Sequence, residues 1–548
     1  LAKGIVKRDV IRVVTPGTVM ESNLLEEKKN NYIMSIYKSG IFYGVTVCDI
    51  STGDFRTTQI KDHNNFAMLL DEISRYSPAE IIVNPMMAEC TEEIDRIRER
   101  FEIYVTKLEE SEFLGDYKVI DERYHLQDDN GEFVETIKDK GLCVASTSGL
   151  IKYLLDTQKN SLDHINTLKI YSTTKYMSLD INARRNLEIT EKLRDKSKKG
   201  TLLWVLDKTS TAMGGRLLRR WLSDPLIDSK QINSRLDAVE ELKNDLILKG
   251  DIIDLLKGVY DIERLAGKIS YGSVNARELI SLKNSVRQLP EIKKILSRTK
   301  SKMLVDLYES LDTLDDVYEL IEKTIVDEPP ISVKEGGLIK LGFDEEIDKL
   351  KTATTQGKNW LIELETRERE ATGIKGLKVG FNKVFGYYIE VTKSNINMVP
   401  DRYIRKQTLT TGERYITEEL KNLENQILGA EEKVVNLEYN AFVQVRDQIE
   451  KQILRVQKSA SIVSSLDVLC SFATVADEQN YVKPIIDNEG VIDIKDGRHP
   501  VIEKILPSGS FVQNDTYLDK KDNRLSIITG PNMAGKSTYM RQVALITL

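Results

Sequence analysis

The chain has 548 residues, 41% hydrophobic and 30% charged, with a formal charge of −7, and at roughly 150 residues per domain this implies about three or four domains rather than one hydrophobic core. No run of about 18 apolar residues stands out, so no membrane span is expected, and LAKGIVKRDVIRVV lacks the order of a secretory signal. The negative balance excludes a uniformly basic nucleic-acid coat but leaves room for a local positive surface.

In chain order, residues 8 to 60 read as strands: IRVVT, NYIMSIY, FYGVTVCDIS and DFRTTQI are rich in β-branched and aromatic residues and are punctuated by Gly, Pro and Asn. Phe66 to Tyr76 then reads as a helix, AEIIVN as a strand, Glu92 to Phe101 as a helix and EIYVT as a strand. This is a small α/β domain, expected to end near residue 145. Four scattered cysteines, Cys48, Cys90, Cys143 and Cys470, form no CxxC pair. With only four histidines, neither a disulfide framework nor a Cys/His metal cluster is expected, and the compartment is expected to be reducing.

From 146 to about 340 apolar positions recur every three or four residues, as in NSRLDAVEELKNDLILKG, which predicts a helical hub. A cleaner period follows at Leu420, Leu423, Ile427, Ala430, Val434, Leu437 and Ala441, an a/d seam. Its expected partner is the run near 344 to 370, with Ile347, Leu350, Leu361 and Leu364, so that two helical arms bracket the segment between them. That segment, LKVGFNKVFGYYIEVTKSN, is β-type. Residues 371 to 412 carry Lys375, Lys378, Lys383, Lys393, Arg402, Arg405 and Lys406 against Glu390 and Asp401, a local charge of +5. Such a tip suits duplex phosphates, which basic side chains bind without reading sequence. By charge count alone, an ordinary solvated face is the simpler reading.

From about 470 the texture returns to α/β, with strands expected at Gly490 to Lys495 and Asp522 to Thr529. The sharpest motif follows: Gly530, Pro531, Asn532, Met533, Ala534, Gly535, Lys536 and Ser537 fit the P-loop pattern. LSIIT before it reads as a buried strand and KSTYMRQVALITL after it as a helix, so the loop opens a helix whose N-terminus attracts phosphate. In that setting backbone N–H groups wrap the phosphates, Lys536 reaches the β/γ-phosphates of ATP and Ser537 holds Mg2+.

A P-loop alone says only nucleoside triphosphate, but TGPNMAGKSTYMRQVALI resembles the P-loop segment of the MutS family of DNA mismatch-repair ATPases. Further islands resemble that family in its own order. VVTPGT at 13 to 18 is similar to the opening of the connector, RRNLEI at 184 to 189 to the start of the core, and Gly200 to Leu226 to a central core segment. VFGYYIEVTKSN is similar to the clamp, RKQTLTTGERYITEELKNLE to the returning lever helix, and DGRHPVIE to the approach to the ATPase domain.

The resemblance implies a multidomain fold of α/β and all-α parts: an RNase H-like connector at 1–145, a helical core/lever domain at 146–343 and 405–469, a small β clamp on long helical arms at 344–404, and the start of a P-loop ATPase α/β domain at 470–548. It implies that Gly530 to Ser537 bind ATP, with Thr538 beside the metal side. Phe511 falls where the family places an aromatic under adenine; core packing is the alternative. The basic tip becomes a DNA clamp. Implied partners are duplex DNA with mismatches or small loops, a second copy of the chain and a MutL-like protein, in the bacterial cytosol and without a membrane.

The family reads mismatches with Phe-x-Glu in a domain that precedes the connector. Phe133-Val134-Glu135 has those letters in the wrong context, a coincidence. Twelve residues follow Lys536, so the Walker B acid is expected outside this chain, no residue here is assigned a catalytic role, and these residues alone are expected to hydrolyse no ATP. Three other readings compete: a MutS relative that embraces branched recombination DNA, a chromosome-organising coiled-coil ATPase, and a small-molecule kinase. The few heptads and the late P-loop disfavour the second of these. A kinase leaves about 500 residues without a purpose.

Overall fold

Apolar side chains that alternate along a strand can cover both faces of a sheet, and the first third of the chain uses them so. The computed structural model describes residues 10, 12–63, 66–128, 131–159, 162–382, 386–507 and 509–548. The chain divides into two compact units, one of Leu1–Val274, Asn284–Asp315 and Ile449–Leu548, the other of Asn275–Lys283 and Asp316–Gln448.

The first unit begins with a seven-stranded sheet: β1 (Ile33–Ser39), β2 (Phe42–Asp49), β3 (Asp54–Lys61), β4 (Glu80–Val83), β5 (Tyr104–Lys107), β6 (His125–Gln127) and β7 (Thr167–Ile170). Their order is β5-β4-β1-β2-β3-β7-β6. Strands β1 to β3 are antiparallel and the flanking pairs parallel. Met34, Ile36, Ile81 and Val83 enter one hydrophobic cluster, while their strand neighbours Ile33 and Ile82 enter the other. Two expectations change here. IRVVT forms no strand over its described residues: Val13 and Val14 are exposed coil, tied to the fold by the Val13 N–H donating to the Thr157 carbonyl at 2.7 Å. The sheet also continues past residue 145, because the helix Gly141–Gln158 packs on it and β7 inserts between β3 and β6. Four residues are too short a strand to show a period inside helical texture.

The hub helices Ala212–Ser223, Ser229–Asn244, Leu246–Leu256 and Ile262–Tyr271 start at Thr211, Asp228, Asp245 and Asp261, whose side chains each accept a backbone N–H of the first turn. They pack around the helix Ile453–Glu478. Contrary to expectation, that helix is long and apolar enough to cross a membrane. It is instead mostly buried, with Val456, Ala460, Val463, Leu466, Leu469 and Ala473 all in the core. Buried ion pairs tie hub to sheet. The Arg216 guanidinium donates to Asp261, Glu263 and the Glu27 carbonyl, and Arg75 sits between Asp224 at 2.5 Å and Glu72 at 3.1 Å. Such pairs fix geometry more than they stabilise, since desolvation offsets their attraction.

The second unit contains the two arms, Glu345–Thr372 and most of Glu418–Glu450. Leu361 and Leu364 meet Leu420, Leu423 and Ile427 in one cluster. Val434 and Ala441 further along the expected seam are buried too. At Gly357 a Cβ would lie 2.7 Å from Ile427 Cγ1, so a glycine at that point allows the helices to approach closely. Between the arms four antiparallel strands, β8 (Lys378–Asn382), β9 (Gly386–Thr392), β10 (Ile404–Thr408) and β11 (Gly412–Ile416), pair in the order β10-β11-β9-β8. The sheet therefore reaches beyond residue 404. The first half of RKQTLTTGERYITEELKNLE is strand rather than returning helix, because its β-branched and aromatic residues close the tip's core through Tyr415 and Ile416.

The last part of the first unit is a hairpin, β12 (Ile492–Gly497) with β13 (Asn514–Leu518), followed by the helix Lys536–Thr547. The run Asp522 to Thr529 is coil, not the expected strand. Leu525 and Ile527 are 82% and 81% exposed. A strand of this apolar kind needs neighbours on both edges and cover on both faces, and no described strand pairs with it.

Candidate nucleotide and nucleic-acid sites

The nucleotide candidate is a turn whose backbone few residues tolerate. Gly530 has φ +149°, Gly535 +86° and Met533 +66°, and glycine supplies such angles without steric cost. Gly535 stands at the N-cap of the helix Lys536–Thr547 and makes no side-chain cap, leaving the first-turn N–H groups open for an anion. The Lys536 ammonium curls over the loop and donates to the carbonyls of Gly530 at 2.5 Å and Pro531 at 2.7 Å. Pro531 to Gly535 are exposed, as is Ser537, while Thr538 is half-buried and Met533 projects fully into solvent.

The helix behind the loop is held on two sides. Tyr539 hydrogen-bonds Thr516 of β13 at 2.8 Å, Gln542 is fully buried against Gly497 of β12, and Leu545 joins Leu179, Leu202, Leu218 and Val468 in a hub cluster. His499, in DGRHP, caps the helix Pro500–Ile505 by accepting the Ile502 N–H at 3.4 Å. Burial lowers its pKa, which suits a neutral ring acting as acceptor. Phe511 is half-buried on the loop leading into β13.

The tip brings the basic candidates onto one small sheet and its margins. Lys375, Lys378, Lys393, Arg402, Arg405 and Lys406 are all exposed. Lys383 lies outside the described residues, as do Val384 and Phe385 of the VFGYYIEVTKSN motif. The six differ in what they offer. Arg402 is paired with the buried Glu368 at 2.6 Å, and Arg405 meets Glu413 at 3.4 Å. Lys406 sits at a bulge between Arg405 and Gln407, a device that redirects a side chain. Lys375, Lys378 and Lys393 have no ion pair among the described residues.

The charge count missed Arg414, which lies just past the counted window. It is half-buried, paired with Glu390 at 3.0 Å, and stands 4.0 Å over the Tyr388 ring. It also missed the Phe381–Tyr387 pair, with rings 4.9 Å apart and Phe381 48% exposed. Their signal was present in the aromatic spacing of GFNKVFGYY, but a strand pattern does not say which face is open. Tyr403, whose ring lies 5.8 Å from that of Tyr415, donates to the buried Glu368 at 2.8 Å. Burial, then that carboxylate, pushes the Tyr403 phenol well above its usual value.

With these features in view, the comparisons are specific. A profile of MutS domain III matches residues 182–473, over half of the chain, and profiles of MutS domain II and MutS domain V match 31–166 and 526–548. The chain belongs to the MutS family. It is 52% identical over 548 residues to the DNA mismatch repair protein MutS of Acetivibrio thermocellus, covering 100% of this chain and 62% of that one. Identity is 53% over 550 residues to the protein of that name in Ruminiclostridium cellulolyticum and 54% over 551 residues to that in Clostridium tetani. Each covers 100% of this chain, and 62% and 61% of the relative. The chain thus spans about three fifths of the length of these curated relatives.

Proposed function

We propose that the chain is the connector, core, clamp and first ATP-binding segment of a protein that recognises mismatched DNA and starts its repair, with ATP governing its grip. Supporting the connector reading is the strand order β3-β2-β1-β4-β5 with the first three antiparallel, an RNase H-like arrangement. The observation that carries the nucleotide reading is the Gly530–Ser537 turn with three positive φ angles before an uncapped helix. ATP phosphates meet the loop N–H groups, and the Lys536 ammonium exchanges the Gly530 and Pro531 carbonyls for phosphate oxygens. Ser537 and Thr538 lie on the Mg2+ side, and Phe511 is the adenine-stacking candidate. The residues fit that role because the first turn of the helix has no side-chain cap and the lysine is already above the loop.

On the same proposal the tip holds duplex phosphates through Lys375, Lys378 and Lys393 first, while Arg402, Arg405 and Lys406 act with their neighbours. Mismatched or looped duplex, a second copy of the chain and a MutL-like protein are its proposed partners, in the cytosol. The 548 residues by themselves are proposed to be hydrolytically silent, because the apolar run before the loop is exposed and unpaired. DNA-stimulated phosphate release from them would refute that. In the full-length protein, Lys536→Ala should abolish ATP-driven release from a mispaired duplex while leaving binding to that duplex unchanged. Retained ATP response would place the nucleotide elsewhere. Equal affinity for mispaired and perfect duplex at a stated salt concentration would reject mismatch recognition.

A further inference from the structure

Away from the loop and the tip, a seam in the first unit joins β3 and β7 of the sheet to the hub helix Ala212–Ser223, whose Arg220 donates to Asp54 of β3 at 3.4 Å. Cations crowd it. Arg56 of β3 stands in register with Lys169 of the parallel strand β7. Arg235, on the next helix Ser229–Asn244, places its guanidinium 3.6 Å over the ring of Trp221, the residue after Arg220.

The carboxylates of the seam are already engaged. Asp54 accepts the Arg56 Nε–H on both oxygens, at 3.0 and 3.2 Å, and the Tyr32 hydroxyl at 2.7 Å, besides Arg220. Glu263 accepts two donors of Arg216, at 2.7 and 3.2 Å. Lys169 and Arg235 are left with no hydrogen bond or ion pair among the described residues. Both are half-buried, so neither is sealed from solvent. Burial lowers the Lys169 ammonium to about 8, and the charges of Arg56 and Arg220 add to that effect against Asp54 and Glu263. Burial also lowers Arg235, to about 10, with Arg220 contributing again against Tyr176 alone. The charge of Arg220 therefore acts on both unpaired cations, and no carboxylate faces Arg235 closely enough to offset it.

We infer that this seam binds a small phosphate-type anion, held by Lys169, Arg220 and Arg235. Cations withdrawn from water are ordinarily paired, and like charges gathered where the dielectric is low repel one another unless an anion joins them. A divalent oxyanion meets that need, because guanidinium groups donate to it as a planar fork and an ammonium adds a point charge. A duplex reaches exposed cations such as those of the tip, whereas these are half-buried, which favours a small ion. The inference is independent of the nucleotide and DNA readings.

The test uses the 548-residue chain carrying Lys536→Ala, which keeps the Gly530–Ser537 loop from dominating the signal, in isothermal titration calorimetry with inorganic phosphate at constant ionic strength set by chloride. Phosphate should bind. Lys169→Met and Arg235→Met on that background should each weaken the binding at least about tenfold, the effect of losing one charge-assisted hydrogen bond. In chloride alone, Lys169→Met should raise the melting temperature by about 2 °C, because it removes a cation that has no partner, and saturating phosphate should narrow that gap. Ribose 5-phosphate separates the two sources of the group: binding as tight as that of phosphate assigns the seam to phosphate esters, and weaker binding assigns it to the free ion. Absence of phosphate binding, undiminished binding in either variant, or a lower melting temperature for Lys169→Met in chloride would overturn the inference.

Discussion

The β8–β11 tip and the Gly530–Ser537 loop are both short, both turn on glycines and both adjoin a helix end, yet different forces hold them. The tip has its own core, in which Leu377, Ile389 and Val391 are fully buried against Leu361, Leu420 and Leu423 of the arms. The loop has none: most of its residues are exposed, and its shape comes from backbone angles and two hydrogen bonds from Lys536. On the clamp proposal, a surface that grips a large rigid duplex is shaped by packing. A cradle for a small anion can be shaped by the backbone, because the ligand itself supplies the missing acceptors.

The largest expected effect tests the packed side. Ile389→Ala should destabilise the second unit by about 3 kcal/mol, as cavity-forming core truncations do, and equilibrium denaturation should detect it. A cost below about 1 kcal/mol would mean that the tip's shape does not depend on its core. Next comes Asp207, at the end of the hub helix Leu202–Leu206 that shares a cluster with Leu545 of the loop's helix. Burial raises its pKa, but hydrogen bonds from Lys198 and Thr209 and the charge of Lys28 outweigh this and hold it at about 2. Its folded pKa lies below the unfolded value of about 3.9. Its contribution is therefore present above about pH 4 and lost as pH falls toward 2. Asp207→Asn should cost about 2 kcal/mol near neutrality, less than a fully buried pair because its two lysines keep 38% and 40% exposure. Its stability should also fall less steeply than the parent's between pH 4 and pH 2 in acid titrations.

Gly357→Leu addresses the arms. A side chain there meets Ile427, and strain of about 1–3 kcal/mol is offset in part by about 1 kcal/mol of helix propensity. A small net loss in melting experiments is expected, and a gain would show that the arms separate readily. Removing Lys375, Lys378 and Lys393 together should leave the fold unchanged and, on the clamp proposal, reduce the salt dependence of duplex binding by about 0.9 for each phosphate that is no longer neutralised. An unchanged slope would assign the phosphates to the arginines. The smallest expected effect is that of Lys536→Ala on stability, below about 0.5 kcal/mol, because water can replace its two hydrogen bonds to the exposed Gly530 and Pro531 carbonyls. A larger loss would mean that the loop is packed more like the tip than its exposure indicates.

Much of this architecture was legible in residue order. NYIMSIY, FYGVTVCDIS and DFRTTQI became β1 to β3, and the Leu420 to Ala441 spacing became a seam buried at Leu420, Leu423, Ile427, Val434 and Ala441 and half-buried at Ala430 and Leu437, because periodicity reports directly which side chains share a face. The misreadings have physical causes. IRVVT has β-type residues without a partner strand, and LSIIT has them without cover on either face. Ile453–Glu478 is apolar all round because protein, not lipid, surrounds it. At the candidate sites, the eight-residue motif coincides with a turn of positive φ angles before a helix, whereas the charge count marked the basic tip but could not rank its cations.

Local sequence was sufficient wherever the controlling interaction lies within a few residues: the positive φ angles of Gly530 and Gly535, the caps at Thr211 and Asp228, and the period of the arms. Tertiary structure alone decided which cations remain unpaired, because Arg402 finds Glu368 across 34 residues while Lys393 finds no carboxylate among the described residues. It also decided that β7 enters a sheet more than a hundred residues away from β3. The division follows from range. Backbone angles and helical periods are set by neighbours in the chain, whereas pairing and burial are set by whatever the folded chain brings alongside.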